Sequence, residues 1–231
     1  MMRPWFKRIG TLVGVALLLL VAWETFAVLR ARSRTPAILA ANAHPVTTVD
    51  QIGARRVAML LKVEDSGFFR HHGVDFSTPG QGATTMTQSL VKRLYFPGGF
   101  TPGFAKIEQS LIARFVFDPA ASKRQQLDMF LSLASFGNQQ GRDVIGFADA
   151  ARTFYGKDLT ALDDHQFLGL VAMLMAPNAL DPVRHPGDNA ERVRRIVALI
   201  EGRCKPRGVT DVRYPDCAMA DPKPRWPAAA M

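Results

Sequence analysis

The chain has 231 residues, with 29 Lys and Arg against 20 Asp and Glu, a formal charge of +9 and a pI near 10.1. That length allows one domain of about 170–200 residues plus an anchor, and the basic balance favours anionic partners such as phospholipid head groups or pyrophosphate. There is no zinc-finger spacing, no basic helix interleaved with aromatics, no internal repeat and no low-complexity tract, so nucleic acid is set aside as a partner.

Residues 1–8 carry Arg3, Lys7 and Arg8, and residues 9–29 contain one charge, Glu24. As a helix these 21 residues span roughly 31 Å, enough to cross a bilayer core. Trp5 and Trp23 flank the run, as interfacial aromatics do. Glu24 is expected to reach the head groups from near the outer end. A cleaved signal peptide is the competing reading, but no small-x-small site follows the run directly, and Ala41-Asn42-Ala43 lies too far downstream. An uncleaved anchor is therefore expected. Charge leaves its orientation open, because Arg30, Arg32 and Arg34 balance the N-terminal cluster.

Residues 33–44 read as a partly helical juxtamembrane linker. Thr47, Thr48 or Asp50 can cap a helix whose apolar run, residues 57–61, stops at Glu64. An acid there sits between core and cleft, where desolvation raises a carboxyl pKa toward the range of a general base. The bland alternative is an ordinary helix end with a solvated acidic pair. Residues 77–82 are a loop by their turn residues. A helix follows from Thr84 or Thr85 to Tyr95, placing Gln88 and Lys92 four residues apart. Residues 95–103 are rich in Gly, Pro and aromatics and read as a loop able to dip into a membrane.

The stretch from 63 to 93 carries the strongest signal. Glu64, Asp65, Phe68, His71, Gly73 and Asp75 resemble the pattern E-D-x-x-F-x-x-H-x-G-x-D, the first signature of the peptidoglycan glycosyltransferases of family 51. Gly82, Thr85, Thr87, Gln88, Leu90 and Lys92 resemble the second, G-G-S-T-I-T-Q-Q-L-x-K-N. Weaker matches continue downstream. Residues 104–117 align with R-K-x-x-E, with Ala105 and Lys106 at the first two positions and Gln109 in place of the acid. Glu108 is adjacent, but one helical step of about 100° points it to another face. Residues 122–136 form a Ser-capped amphipathic helix similar to the fourth signature, with Asp128, Phe130 and Ser132 replacing Glu, Tyr and Asn. Residues 146–157 match an Ala-rich family segment suited to close helix packing. Residues 159–182 resemble the fifth signature, with Thr160 and Asp163 as an approximate capping box and Met173 and Met175 as core filling. Asp188 and Glu191 open a last basic helix.

The resemblance covers about residues 45–200. It implies a mainly α, lysozyme-like domain with one N-terminal transmembrane helix. In domain terms this gives a cytoplasmic stub and anchor at 1–32, the linker at 33–44, a transglycosylase-like domain at 45–202 and a Pro- and charge-rich, loosely ordered tail at 203–231. No separate transpeptidase domain is expected. The domain is placed on the periplasmic side of a bacterial inner membrane. The implied partners are lipid II and the growing glycan strand, the inner membrane, and cell-wall synthesis proteins. The implied chemistry is inverting transfer from a polyprenyl-pyrophosphate donor, with Glu64 as base. Lys92, Lys106, Thr85, Gln88, Gln109 and Arg93 are the expected substrate-binding residues. Asp65, Phe68, His71, Gly73, Asp75 and Gly82 are expected to hold the motif loops. No metal ligands are assigned; some family members use a divalent cation as a helper, and with Gln109 a weaker dependence is expected.

Two other classes stay open: a degenerate member that binds lipid-linked precursor or envelope-assembly partners without turnover, and a lytic enzyme. Reinstating the acid by Gln109→Glu is expected to hold or raise activity. Cys204 and Cys217 lie in the tail; facing an oxidising compartment they could pair.

Overall fold

The computed structural model describes residues 4–218. They form helices α1 (Pro4–Ala41), α2 (Val49–Glu64), α3 (Met86–Tyr95), α4 (Phe104–Ile112), α5 (Lys123–Leu133), α6 (Phe147–Tyr155), α7 (Asp164–Met173) and α8 (Pro186–Ile200). A two-stranded antiparallel hairpin, β1 (Ser135–Gln139) and β2 (Arg142–Ile145), is the only sheet among the described residues. The chain is therefore mainly α.

α1 is the one described helix long and apolar enough to cross a membrane, and Leu18, Leu19 and Val21 on it are exposed. It does not end where a linker was expected. It runs through Pro36 to Ala41, because its last turns have a surface to pack on. Glu24, Ala27, Ala31 and Thr35 are buried, and their three- and four-residue spacing makes one stripe. The helix packs on α4 and on the π-helical turn Ala113–Phe117 that continues it. Thr35 Oγ1 and Tyr95 Oη are 2.6 Å apart. Glu24 shares the stripe and is buried against the domain; neither of its carboxylate oxygens has a hydrogen-bond partner among the described residues.

α2 starts where Gln51 Oε1 accepts from Thr48 N–H at 2.8 Å. It buries Ile52, Met59, Leu60 and Val63 and stops at Glu64, with Asp65 N–H donating back to Leu61 O. α3 is capped by Thr85, and Gln88 Oε1 accepts from Thr85 N–H at 2.9 Å. α7 begins at Asp163, whose carboxylate accepts from Gln166 N–H; the box is Asp163 with Gln166, not Thr160 with Asp163. The central packing joins Leu60, Val91, Leu131, Leu170, Val193 and Ile196 to the rings of Phe136, Phe147 and Phe167. Ala150 and Ala151 of α6 are fully buried, and Met173 fills the core while Met175 is exposed.

The segment after Gly202 is ordered as far as residue 218, contrary to the loose tail expected from its composition; residues 219–231 lie outside the described residues. Cys204 and Cys217 are bonded, with Cα atoms 5.2 Å apart. The closed loop is hydrogen-bonded to the residues between the two motifs: Gly80 N–H donates to Gly208 O at 2.9 Å and Gly82 N–H to Val209 O at 2.8 Å. Tyr214 is buried, its Oη 2.9 Å from Val63 O and 3.1 Å from Gly80 O. Polar and Pro-rich sequence is ordered here because a covalent closure and one buried ring replace an apolar face. Replacing both cysteines by serine should cost about 2–3 kcal/mol, the loop-closure entropy of a ring this size, read as a lowered urea midpoint. An unchanged midpoint would mean that Tyr214 alone holds the loop.

Candidate active site

Asp65 is the hub of the first motif. It is fully buried, and both carboxylate oxygens lie 3.0 Å from His71 Nε2. Oδ2 also accepts from Met86 N–H at 2.9 Å, at the start of α3. One carboxylate thus ties the end of α2 to the loop after it and to the second motif's helix. His71 Nδ1 accepts from Gly73 N–H at 3.2 Å. Gly73 has φ of +85°, and a Cβ there would lie 2.4 Å from Ala113 O, so only glycine fits. Its carbonyl accepts from Thr85 Oγ1 at 2.7 Å. Phe68 is buried beneath Lys123, whose Nζ is 4.6 Å from the ring centroid. Asp75 closes a turn by accepting from the amides and hydroxyls of Ser77 and Thr78. Burial would raise its pKa, but those four bonds outweigh it and hold the carboxyl well below the usual range. Gly82, at φ +80°, is the contact with the disulfide loop.

Beside this framework lies a cleft of about 720 Å³, lined by Glu64, Lys92, Arg93, Phe96, Phe100 and Phe130 among others. Glu64 lines it and is half-buried. Burial is the main cause that raises its pKa, to about 7; Arg192 opposes the rise and Asp65 adds to it. Lys92 reaches over Phe100, 5.2 Å from the ring centroid, while Phe100 packs edge-on against Phe96 at 5.3 Å. The Gly- and Pro-rich loop therefore forms one cleft wall. Lys106 does not line the cleft but neighbours it. Its Nζ donates to Thr84 Oγ1 at 2.8 Å, and desolvation, with Lys92 nearby, lowers its pKa.

Thr85, Gln88 and Gln109, expected at the substrate, do not line the cleft. All are buried. Thr85 and Gln88 are spent on capping α3, and Gln88 Nε2 donates to Ser110 Oγ at 2.9 Å. The i to i+4 spacing with Lys92 does not share a face in use, because Gln88 folds back to its own helix start. Gln109 Nε2 donates to Gln88 O at 2.6 Å, and its Oε1 has no partner among the described residues. Gln109→Glu would set an oxygen against that carbonyl in a buried site. Gln109→Glu is therefore expected to lose about 2 kcal/mol of stability, measured by urea unfolding, with a smaller loss below pH 5, where the acid can protonate and donate. Glu108 points to the other face of α4, into a 310 Å³ hollow shared with Arg30 and Arg34 of α1.

Sequence reasoning missed Arg192 and Tyr214. Arg192 is one of several arginines on a basic helix, and no local signal marks it as the buried one. It lies 4.5 Å beneath the Tyr214 ring and acts electrostatically on Glu64.

Among the described residues Glu64 is the only carboxylate lining the cleft, beside Lys92 and Arg93, and no cluster of three metal-type ligands is found. A divalent ion takes several oxygen ligands, so the described side chains of this cleft do not fit a protein-held ion.

A helical domain bearing one desolvated carboxyl in a basic, aromatic-walled cleft beside a membrane-length helix defines a class. The family model described as Transglycosylase matches residues 33–201, and the chain belongs to that family, whose domain is lysozyme-like. It is similar to a biosynthetic peptidoglycan transglycosylase of Nitrosospira multiformis, 27% identical over 161 residues covering 64% of this chain and 67% of that protein. It is also similar to a protein named as a transglycosylase in Cupriavidus necator, 27% identical over 219 residues, 86% of this chain and 89% of that one. Penicillin-binding protein 1A of Streptococcus oralis is 28% identical over 168 residues, 67% of this chain but 26% of that protein. The chain thus spans about a quarter of such penicillin-binding proteins. The family match begins at residue 33, within α1.

Proposed function

We propose that the chain is a peptidoglycan glycosyltransferase that polymerises lipid II into glycan strands. The observation that carries this is Glu64, a carboxyl poised near neutral pH in the same cleft as Lys92 and Arg93. As carboxylate, Glu64 takes the proton of an acceptor sugar hydroxyl. The freed oxygen attacks the anomeric carbon of the donor from the face opposite the pyrophosphate. The anomeric C–O bond to pyrophosphate breaks, inverting that carbon, and the negative charge gathers on the leaving group, where Lys92 and Arg93, with Lys106 nearby, stabilise it as point charges. One base suffices, in contrast to the carboxyl pair of a retaining glycosidase.

The anchor helix and the family together support an inner-membrane protein; we assign the domain to the periplasmic face, where a Cys204–Cys217 bridge persists. The test is incubation of the full chain in detergent or liposomes with labelled lipid II. A ladder of glycan polymers is expected. Lysis of finished glycan without polymer growth would move the protein to the lytic class. A second reading has its own support: Gln109 stands where the family has an acid and is sealed inside the fold. Retained lipid II binding with no polymer from the wild type would establish a non-catalytic binder.

A further inference from the structure

The loop closed by Cys204 and Cys217 reaches the residue that precedes Glu64. Tyr214, at a φ of +52° that non-glycine residues rarely adopt, is pressed into the core with its hydroxyl at Val63 O, the residue before Glu64. Its ring covers the guanidinium of Arg192. Arg192 is 6% exposed, and its Nε and Nη1 have no hydrogen-bond partner among the described residues. Burial, and Arg195 nearby, oppose the charge of a guanidinium confined in this way, while Tyr214 and then Glu64 favour it. Gly80 packs against Pro206, and a Cβ on Gly80 would fall 2.5 Å from that ring, so the loop cannot slide without moving the inter-motif segment.

From this arrangement we infer that Arg192, held beneath Tyr214 by the disulfide-closed loop, is a positioning residue that sets the charge state of Glu64. The C-terminal loop is then part of the catalytic apparatus, and its bridge makes that apparatus dependent on an oxidising compartment. The inference rests on Glu64 being the working carboxyl. The other charged groups facing Glu64 are Asp65 at the end of its own helix, Lys92 and Arg93 across the cleft, and the Tyr214 hydroxyl. On the helices packed against α2, Asp164 pairs with Arg55 and Arg56 and Asp128 accepts from Val49 N–H toward its far end, while on α8 Glu191 pairs with Arg194 and with Arg195, whose charge also acts on Arg192.

The test is a carbon-13 NMR titration of Glu64 in the full chain in micelles, with the signal identified by its absence from Glu64→Gln. Arg192→Gln should raise the midpoint by about one unit, a tenfold smaller ionised fraction below it, and shift the acid limb of the rate profile equally. Arg192→Lys should restore most of the shift. An unchanged midpoint in folded Arg192→Gln, or equal shifts in both variants, would overturn the inference. If Arg192→Gln does not fold, reduction of the wild type decides. A raised midpoint with two free thiols supports positioning through the loop. An unchanged midpoint, or one lowered toward the ordinary carboxyl range, overturns it, because the loop would then act only as a cover. The titration needs no turnover, so a chain that binds lipid II without polymerising it would refute the polymerase reading and leave this inference standing or falling by itself.

Discussion

Glu64→Gln is expected to lower lipid II polymerisation by about 10²–10⁴-fold, the usual cost of losing a positioned general base, while membrane insertion is unchanged. The wild-type rate should rise with pH through about 7, where burial has placed the Glu64 carboxyl, and the residual rate of the variant should lack that limb. The same substitution has an opposite effect on stability. A carboxyl whose folded pKa lies above its unfolded value costs stability only once it ionises. The cost grows from about pH 4.5 to about 7 and is complete above that. Glutamine mimics the protonated form, so the variant should match the wild type near pH 4 and exceed it at pH 8 by up to about 3 kcal/mol. Urea unfolding at the two pH values measures this. A variant equally active, or no more stable at pH 8, would mean that Glu64 is not the strained acid of this cleft.

Asp65→Ala should be the most damaging change to folding, with a loss of about 3–5 kcal/mol. The carboxylate is fully buried and serves His71 Nε2 and Met86 N–H together. Removing it strands both donors and unties the end of α2 from α3. Chemical denaturation with trypsin sensitivity in the 66–85 segment would read it. A loss under about 1 kcal/mol would mean that water replaces the carboxylate without cost, which a fully buried site does not allow.

The helices were legible because their punctuation is local. Thr48 with Gln51, Thr85 with Gln88, and Ser122 with Gln125 are caps readable three residues ahead. The hairpin was missed although its signal was present. Gln140 and Gly141 both take positive φ in the N-Q-Q-G turn, but Leu131 and Leu133 before it continue a helical pattern. The division of labour among polar residues was not legible. Thr85, Gln88 and Lys92 belong to one motif, yet two of them close the helix and one faces the cleft. That choice depends on where Gly73 O and Ser110 Oγ arrive. Arg192 and Tyr214 were hidden for the same reason. Their partners lie 128 and 151 residues upstream of them, at Glu64 and Val63, and no window along the chain contains both ends.

The uninterrupted α1 has a mechanical meaning. Thr35, where the helix is bonded to Tyr95, lies six residues beyond Leu29, about 9 Å along the axis. A helix seated on both sides of that distance is a spacer of fixed length and fixed azimuth. The height of the cleft above the bilayer, and the direction in which it opens, are then properties of the whole molecule rather than of a tether. A substrate carried by a lipid has its sugar at a set elevation over the same surface. A glycosyltransferase of the kind proposed, so mounted, would search in two dimensions with its cleft held level, and a single residue inserted between Leu29 and Ala31 would turn that cleft by about 100°.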